Sequence, residues 1–102
     1  MLAEFSITPI GTGESVGDVI AAVIRLVDES GLPYRANPMG TVVEGEWDTV
    51  MALLKKCHDE AMKVSPRVVS HVAIDMRPSK PNNRLTEKLK GVERRLGRKV
   101  RT

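Results

Sequence analysis

The sequence is short of the residues on which several classes of protein depend. Cys57 is its one cysteine, so a single chain of 102 residues can form neither a disulfide nor a cysteine metal cluster. Only Phe5, Tyr34 and Trp47 are aromatic, too few to form a stacking platform for single-stranded nucleic acid. No run approaches the roughly 20 apolar residues of a membrane-spanning helix, and residues 1–4 do not resemble a signal peptide. We therefore expect a cytoplasmic protein that does not enter a membrane.

The charge of the chain is unevenly distributed along its length. Residues 77–102 hold ten Lys/Arg and two Glu, a balance of +8, whereas residues 1–76 hold six Lys/Arg and eleven Asp/Glu, a balance of −5. The length predicts a single domain over residues 1–102. A basic tail is a possible nucleic-acid contact, but we favour a helix that docks on the acidic body and exposes its basic face to water.

The hydrophobic pattern predicts alternating strands and helices. Ala3, Phe5 and Ile7 alternate with polar residues, which is typical of a half-buried strand. Ser15 and Asp18 have the form of a helix N-terminal capping box. We predict strands at residues 2–10, 33–37, 41–46 and 68–77, and helices at residues 16–30, 47–64 and 82–97, the last followed by a basic tail at residues 98–102.

This order predicts an α+β, ferredoxin-like βαββαβ fold with an additional C-terminal helix. Right-handed crossovers place the two long helices on one face of a four-stranded antiparallel sheet, with the first and third strands at its centre. Met39-Gly40 is the predicted hairpin turn, and Asn83 is the predicted cap of the last helix.

The face of the sheet opposite the helices carries an unusual mixture of side chains. By alternation it holds Glu4, Ser6, Thr8, Val42, Glu44, His71, Asp75 and Arg77. Short polar and ionisable groups beside small apolar ones suit an interface that also holds a polar ligand. The alternative is a monomer with a wet sheet face. Because exposed edge strands need protection, we favour dimers or tetramers.

Several passages resemble a known family, the thiamine-binding proteins, which are ferredoxin-like proteins of about one hundred residues. The similar passages cover nearly the whole chain: Glu4–Gly11, Ser15-Val16-Gly17, Tyr34–Glu46 and Arg67–Arg77, with Met39-Gly40-Thr41 followed by Glu44-Gly45 as the more specific part. The resemblance implies a dimer of dimers that binds thiamine or its hydroxymethylpyrimidine moiety near a subunit interface. It implies binding rather than a demonstrated reaction.

Residues of suitable chemistry are candidates for that ligand. An aminopyrimidine needs hydrogen-bond acceptors and donors, its ring suits a polarisable sulfur, and a phosphate suits arginine. The predicted ligand-binding residues are Ser6, Thr8, Asn37, Met39, Thr41, Glu44 and Arg77. We expect no catalytic residue, no metal ligand and no cofactor.

Other roles for these residues remain open from the sequence. Thr41 and Asn37 are also suited to shaping the hairpin, Met39 to filling the core, and Glu44 to an interfacial ion pair with Arg77 or Arg35. At the level of the whole protein, two alternatives are an oligomeric enzyme that uses Glu44, His71 or Asp75 as acid or base, and an interaction module that uses the basic tail.

Overall fold

In a computed structural model, which describes residues 1–13 and 16–102, the chain forms four strands and three helices. They are β1 (Leu2–Ile10), α1 (Gly17–Glu29), β2 (Tyr34–Asn37), β3 (Gly40–Glu44), α2 (Trp47–Met62), β4 (Arg67–Asp75) and α3 (Arg84–Leu96). The predicted capping residue Ser15 lies outside the described residues. None of the helices in the described part combines the length and apolar character needed to cross a membrane.

The sheet has the strand order β2-β3-β1-β4, and each neighbouring pair is antiparallel. The prediction that the first and third strands are central is therefore confirmed. Ala3 lies opposite Val43 and Ile74, so these three residues face the same side of the sheet. The next row, Leu2 with Glu44 and Asp75, faces the other side. This register decides which residues are available for a ligand.

The hydrophobic core lies between one face of the sheet and helices α1 and α2. Its buried apolar residues are Ala3, Phe5, Ile7, Val23, Val27, Val43, Val50, Leu53, Leu54, Cys57 and Ala61. The imidazole of His58 on α2 lies 2.6 Å from the hydroxyl of Ser70 on β4, which joins the helix layer to the sheet. Burial of this set removes apolar surface from water and provides the main favourable term for folding.

The hairpin between β2 and β3 differs slightly from the prediction. Asn37 pairs with Gly40, so the two turn residues are Pro38 and Met39, and Gly40 already belongs to the strand. A Cβ atom on Gly40 would lie 3.0 Å from the carbonyl oxygen of Phe5. Glycine therefore allows β3 to begin directly against β1, a contact that the residue pattern of the turn alone does not reveal.

The strand β3 ends at Glu44, two residues earlier than predicted. The backbone N–H of Gly45 donates to the carbonyl oxygen of Met1 at 3.1 Å, outside the ladder. The carbonyl oxygen of Glu46 already accepts from Val50 in the first turn of α2. Gly45 and Glu46, which were predicted to extend the strand, instead connect it to α2, and Glu46 is the residue directly before the helix.

Helix α3 lies against the face of the sheet that α1 and α2 leave uncovered. It begins over the row that contains Glu44 and Asp75 and contacts β3. The apolar residues of its outer turns, Val92 and Leu96, are exposed. The radius of gyration is 15.0 Å, compared with about 13 Å for a typical compact domain of this length. The subunit is therefore elongated.

Candidate ligand-binding site

One concavity lies on the sheet face opposite α1 and α2, over the central strand β1 and the edge strand β4. We call it the open-face pocket, and it is lined by Glu4, Phe5, Ser6, Met39, His71, Val72 and Ala73. Its volume is about 300 Å³, which is at the lower end of the range for small-molecule sites.

The strand register brings the polar side chains of this pocket together. Ser6 lies opposite His71, and Glu4 lies opposite Ala73, all on the same face. A Cβ atom on Gly40 would lie 3.8 Å from the Cγ atom of Glu4, so the end of the hairpin lies beside the side chain of Glu4. The pocket thus combines a carboxylate, a hydroxyl, an imidazole and a thioether above the strand backbone and Ala73, whereas the side chains of Phe5 and Val72 face the helices.

Each of these groups has a defined capacity for hydrogen bonding or packing. The carboxylate of Glu4 accepts hydrogen bonds, the hydroxyl of Ser6 both donates and accepts, and neutral His71 offers one donor and one acceptor. Met39 is 89% exposed and so is free to pack on a flat ring. The arrangement can bind a small, planar, hydrogen-bonding molecule, especially one that carries a positive charge.

Two of the seven predicted ligand-binding residues, Ser6 and Met39, line this pocket. Thr8 is exposed on the same face, one pleat farther along β1, and Asn37 is exposed at the end of the hairpin. Glu4 and His71 line the pocket but were not among the seven, although strand alternation already placed both on this face.

Thr41 lies on the opposite side of the sheet from the pocket. It pairs with Phe5, faces the helices and is only 5% exposed. Alternation explains the position, since Thr41 lies three positions before Glu44 and an odd offset places two residues on opposite sides of one strand. Its hydroxyl therefore does not reach the open-face pocket.

Glu44 has a role that the sequence does not reveal. The side chain is only 2% exposed, because the first turn of α3 covers it. Its Oε2 accepts a hydrogen bond from the backbone N–H of Arg84 at 2.7 Å, and its Oε1 accepts one from Leu85 at 3.1 Å. Neither predicted ion-pair partner, Arg77 or Arg35, contacts it through a salt bridge in the described residues. Glu44 thus acts as the N-terminal cap of α3.

The predicted cap of α3, Asn83, serves a different purpose. Helix α3 does begin directly after it, but its side chain makes no capping hydrogen bond. The Oδ1 atom of Asn83 instead accepts from the guanidinium of Arg84, at 3.2 and 2.8 Å. The sheet therefore provides the capping group through Glu44, across 40 residues of sequence.

Arg77 lies two residues beyond the end of β4. The row with Asp75 is four residues from the row with His71, and at ~3.3 Å per residue this separates the rows by ~13 Å. Arg77 is two residues farther on. Within one subunit it belongs to a second concavity, shared with Lys80 and the start of α3.

Cys57 is buried in α2 with its Sγ atom 3.9 Å from the carbonyl oxygen of Val23. Burial, with a smaller contribution from the negative charge of Glu60, raises the pKa of the Cys57 thiol to about 11. At neutral pH the thiol is protonated and is not a nucleophile. Within residues 1–13 and 16–102, no cluster of three or more metal-ligating side chains forms.

Comparison with known proteins adds an independent finding. A family model described as thiamine-binding protein matches residues 3–93. The UPF0045 protein Mb1933 of Mycobacterium bovis is 39% identical over 97 residues, which are 94% of each chain. The UPF0045 protein MJ1052 of Methanocaldococcus jannaschii is 36% identical over 92 residues, which cover 90% of this chain and 91% of that protein.

Solved structures show the same fold. The crystal structure of MJ1052 matches with a TM-score of 0.83 and covers 89% of this chain and 93% of its own. A Thermotoga maritima protein, described as a candidate for thiamine biosynthesis or salvage, matches with a TM-score of 0.76. It is 22% identical and covers 89% of this chain and 96% of its own, so it supports the fold alone.

Proposed function

Because the chain belongs to the thiamine-binding protein family, we propose that it binds thiamine or its hydroxymethylpyrimidine moiety in the open-face pocket, as a carrier or sensor rather than an enzyme. The observation that carries the proposal is the meeting of Glu4, Ser6, His71 and Met39 in one uncovered concavity. The cytoplasm is the proposed location, and there the single thiol of Cys57 normally stays reduced.

The chemistry of the pocket matches that of the proposed ligand. The exocyclic amino group of the pyrimidine donates a hydrogen bond to the carboxylate of Glu4, while Ser6 and His71 form hydrogen bonds with the ring nitrogens. Met39 packs its sulfur against the ring. In intact thiamine the same carboxylate also attracts the cationic thiazolium.

The remaining predicted residues have supporting roles in this proposal. Thr8 and Asn37 stand at the rim, where they contact the parts of a ligand that extend beyond the pocket. Thr41 holds β3 from the core side. Glu44 acts indirectly, by fixing the helix that closes one end of the open face. Arg77 belongs to a separate site that is described below.

We also propose that the subunits assemble as a dimer of dimers, which is the state that the family resemblance implies. Two apolar surfaces support this: Val72 and Ile74 on the edge strand β4, and Val92 and Leu96 on α3. In the sheet of the described residues β4 pairs with β1 alone, so its outer edge is available for a second chain. A dimer of dimers has two kinds of subunit interface, and these two apolar surfaces match that number. Sedimentation as a monomer at micromolar concentration would contradict the assembly.

A thermal-shift screen with thiamine, thiamine monophosphate, thiamine diphosphate and hydroxymethylpyrimidine tests the binding proposal. A ligand that binds only the folded state at 100 times its Kd stabilises the fold by about 2.7 kcal/mol, so we expect a clear rise in Tm. The rise should shrink in Ser6→Ala and His71→Ala, because each removes a polar group from the pocket. No rise with any of the four ligands would contradict the proposal.

Ser79→Ala is the matched control for that screen. Ser79 is exposed on the connector between β4 and α3, outside the open-face pocket. The substitution is chemically the same as Ser6→Ala. We expect the ligand-induced rise in Tm of this variant to equal that of the wild type. Equal losses in Ser6→Ala and Ser79→Ala would place the ligand elsewhere.

A further inference from the structure

A second concavity, between the end of β4 and the start of α3, is dominated by basic side chains. We call it the basic pocket, and it is lined by Met1, Leu2, Asp75, Arg77, Lys80, Pro81, Asn82, Arg84 and Lys88. Its volume is about 160 Å³. Four lysine or arginine side chains therefore surround a space that contains one aspartate.

The backbone around the basic pocket is well defined by local hydrogen bonds. The N–H of Lys80 donates to the carbonyl oxygen of Arg77 at 2.9 Å, and the N–H of Asn83 donates to that of Pro81 at 2.9 Å. Pro78 and Pro81 fix their own φ angles. The backbone conformation of the connector that carries Arg77 and Lys80 is thus constrained both by hydrogen bonds and by the two prolines.

Helix α3 supplies the other two cations from one side. Arg84 and Lys88 are four residues apart, so they lie on the same face of the helix. The two hydrogen bonds that Glu44 accepts from the first turn hold this face against the sheet. The basic pocket is therefore assembled from β4, the connector and α3, and it depends on the docking of the helix.

The positive charges are only partly compensated. Lys88 donates a hydrogen bond to Asp75. That bond, followed by the charges of Lys88 and Arg77, lowers the pKa of the Asp75 carboxyl below its usual value. The guanidinium of Arg84 bonds the neutral amide of Asn83. Among the side chains that line the basic pocket, the negative charge of Asp75 offsets one of four positive charges, which leaves a formal side-chain surplus of three.

Two further carboxylates lie near the basic pocket, and both make hydrogen bonds to groups other than its lysine and arginine side chains. Glu44 directs both oxygen atoms to backbone N–H groups of α3. Glu46 accepts a hydrogen bond from the side-chain amide of Asn82 and lines the adjoining concavity on the side of Trp47 rather than the basic pocket itself. A small anion in the basic pocket therefore meets the side chains of Arg77, Lys80 and Arg84, and Asp75 is the one acid of the lining.

We propose that the basic pocket binds the phosphate or diphosphate group of a small molecule, at a site distinct from the open-face pocket. A phosphoryl group offers three acceptor oxygens and multiple negative charge, which match two guanidinium forks and two ammonium groups. The ~13 Å between the rows of Asp75 and His71 separates this site from the open-face pocket of the same subunit. The inference does not require that thiamine binds.

The test is a calorimetric titration of the full chain with inorganic phosphate and with pyrophosphate, at constant ionic strength. Arg77→Gln and Lys80→Gln should each weaken binding about tenfold, because each removes a charge-assisted hydrogen bond. Asp75→Asn should strengthen binding severalfold, because it removes the one acid of the lining and frees Lys88. Both outcomes distinguish a defined binding site from nonspecific electrostatic attraction of anions to a basic protein.

Lys99→Gln is the matched control, because it removes one positive charge from an exposed position in the tail. We expect less than a twofold change in phosphate binding. Equal weakening in Lys99→Gln and Lys80→Gln, or no measurable binding by the wild type, would overturn the proposal. Circular dichroism of each variant confirms that the helices are retained.

Two further titrations identify the source of the phosphate. If the group belongs to a phosphorylated thiamine, the double variant Arg77→Gln/Lys80→Gln should weaken binding of thiamine monophosphate and leave thiamine unchanged. If the pocket takes the free anion, inorganic phosphate should bind at least as tightly as thiamine monophosphate. Either result supports the basic pocket. Unchanged binding of phosphate and thiamine monophosphate by the double variant would overturn it, whatever happens at the open-face pocket.

Discussion

Replacing Glu44 with alanine is expected to release the first turn of α3 from the sheet. The carboxylate accepts two backbone hydrogen bonds, from Arg84 and Leu85, and it is almost completely buried. Capping interactions contribute about 1–2 kcal/mol, and hydrogen bonds to charged groups about 1.5–3 kcal/mol. We expect the docking of α3 to weaken by about 2 kcal/mol.

Hydrogen exchange measures this loss directly. The amides of Arg84 and Leu85 should exchange about 30-fold faster in Glu44→Ala, since 1.4 kcal/mol corresponds to a factor of ten. The amides of β1 should keep their protection, because the core lies on the other face of the sheet. The effect is local because undocking of α3 leaves that core intact.

The control for Glu44 is the nearby acid Glu46. Glu46 is exposed and accepts from the side chain of Asn82. Glu46→Ala should therefore change exchange of the α3 amides less than threefold. If Glu44→Ala leaves these amides protected, or if Glu46→Ala exposes them equally, the capping role of Glu44 is wrong.

Replacing Phe5 with alanine is expected to produce the largest loss of global stability. Phe5 is 3% exposed and lies in the core between the sheet and α2. Truncation of a buried phenylalanine typically costs about 3–5 kcal/mol, from lost transfer free energy and from the cavity that remains. Domains of this kind have a total stability of about 5–15 kcal/mol. The variant should be marginally stable in urea unfolding.

Met39→Ala is the contrasting substitution on the other side of the same sheet. Because Met39 is almost fully exposed, its truncation should change the free energy of unfolding by less than about 0.5 kcal/mol. The substitution should nevertheless weaken binding of the proposed ligand in the open-face pocket. A large loss of stability in Met39→Ala, or a small one in Phe5→Ala, would mean that the two faces have been assigned the wrong way round.

The fold was predictable because its determinants are local. Alternation of Ala3, Phe5 and Ile7 indicated both the strand and its buried face. Gly31, whose φ is 75°, followed the first helix where the pattern predicted a stop. Short connections between strands and helices then left few topologies. The boundaries moved by one or two residues wherever a turn or a helix start competed with a strand.

The candidate site was predictable only in part, because long-range contacts decide which residues line the pocket and which are covered by other elements. Alternation correctly placed Ser6 on the open face, and it would have excluded Thr41 had it been applied to β3 as strictly. No local pattern shows that a helix beginning 40 residues later covers Glu44. The separation of Arg77 from the open-face pocket likewise follows from the strand register rather than from residue type.

We propose above that the open face of the sheet binds a thiamine-related molecule at Glu4, Ser6, Met39 and His71. The most direct measurement is a titration of the isotopically labelled chain with thiamine, followed by backbone amide chemical shifts in NMR spectra. We expect saturable shifts that are largest at residues 4–6, 39–40 and 71–73. Shifts confined to other parts of the chain, or none at millimolar thiamine, would contradict it.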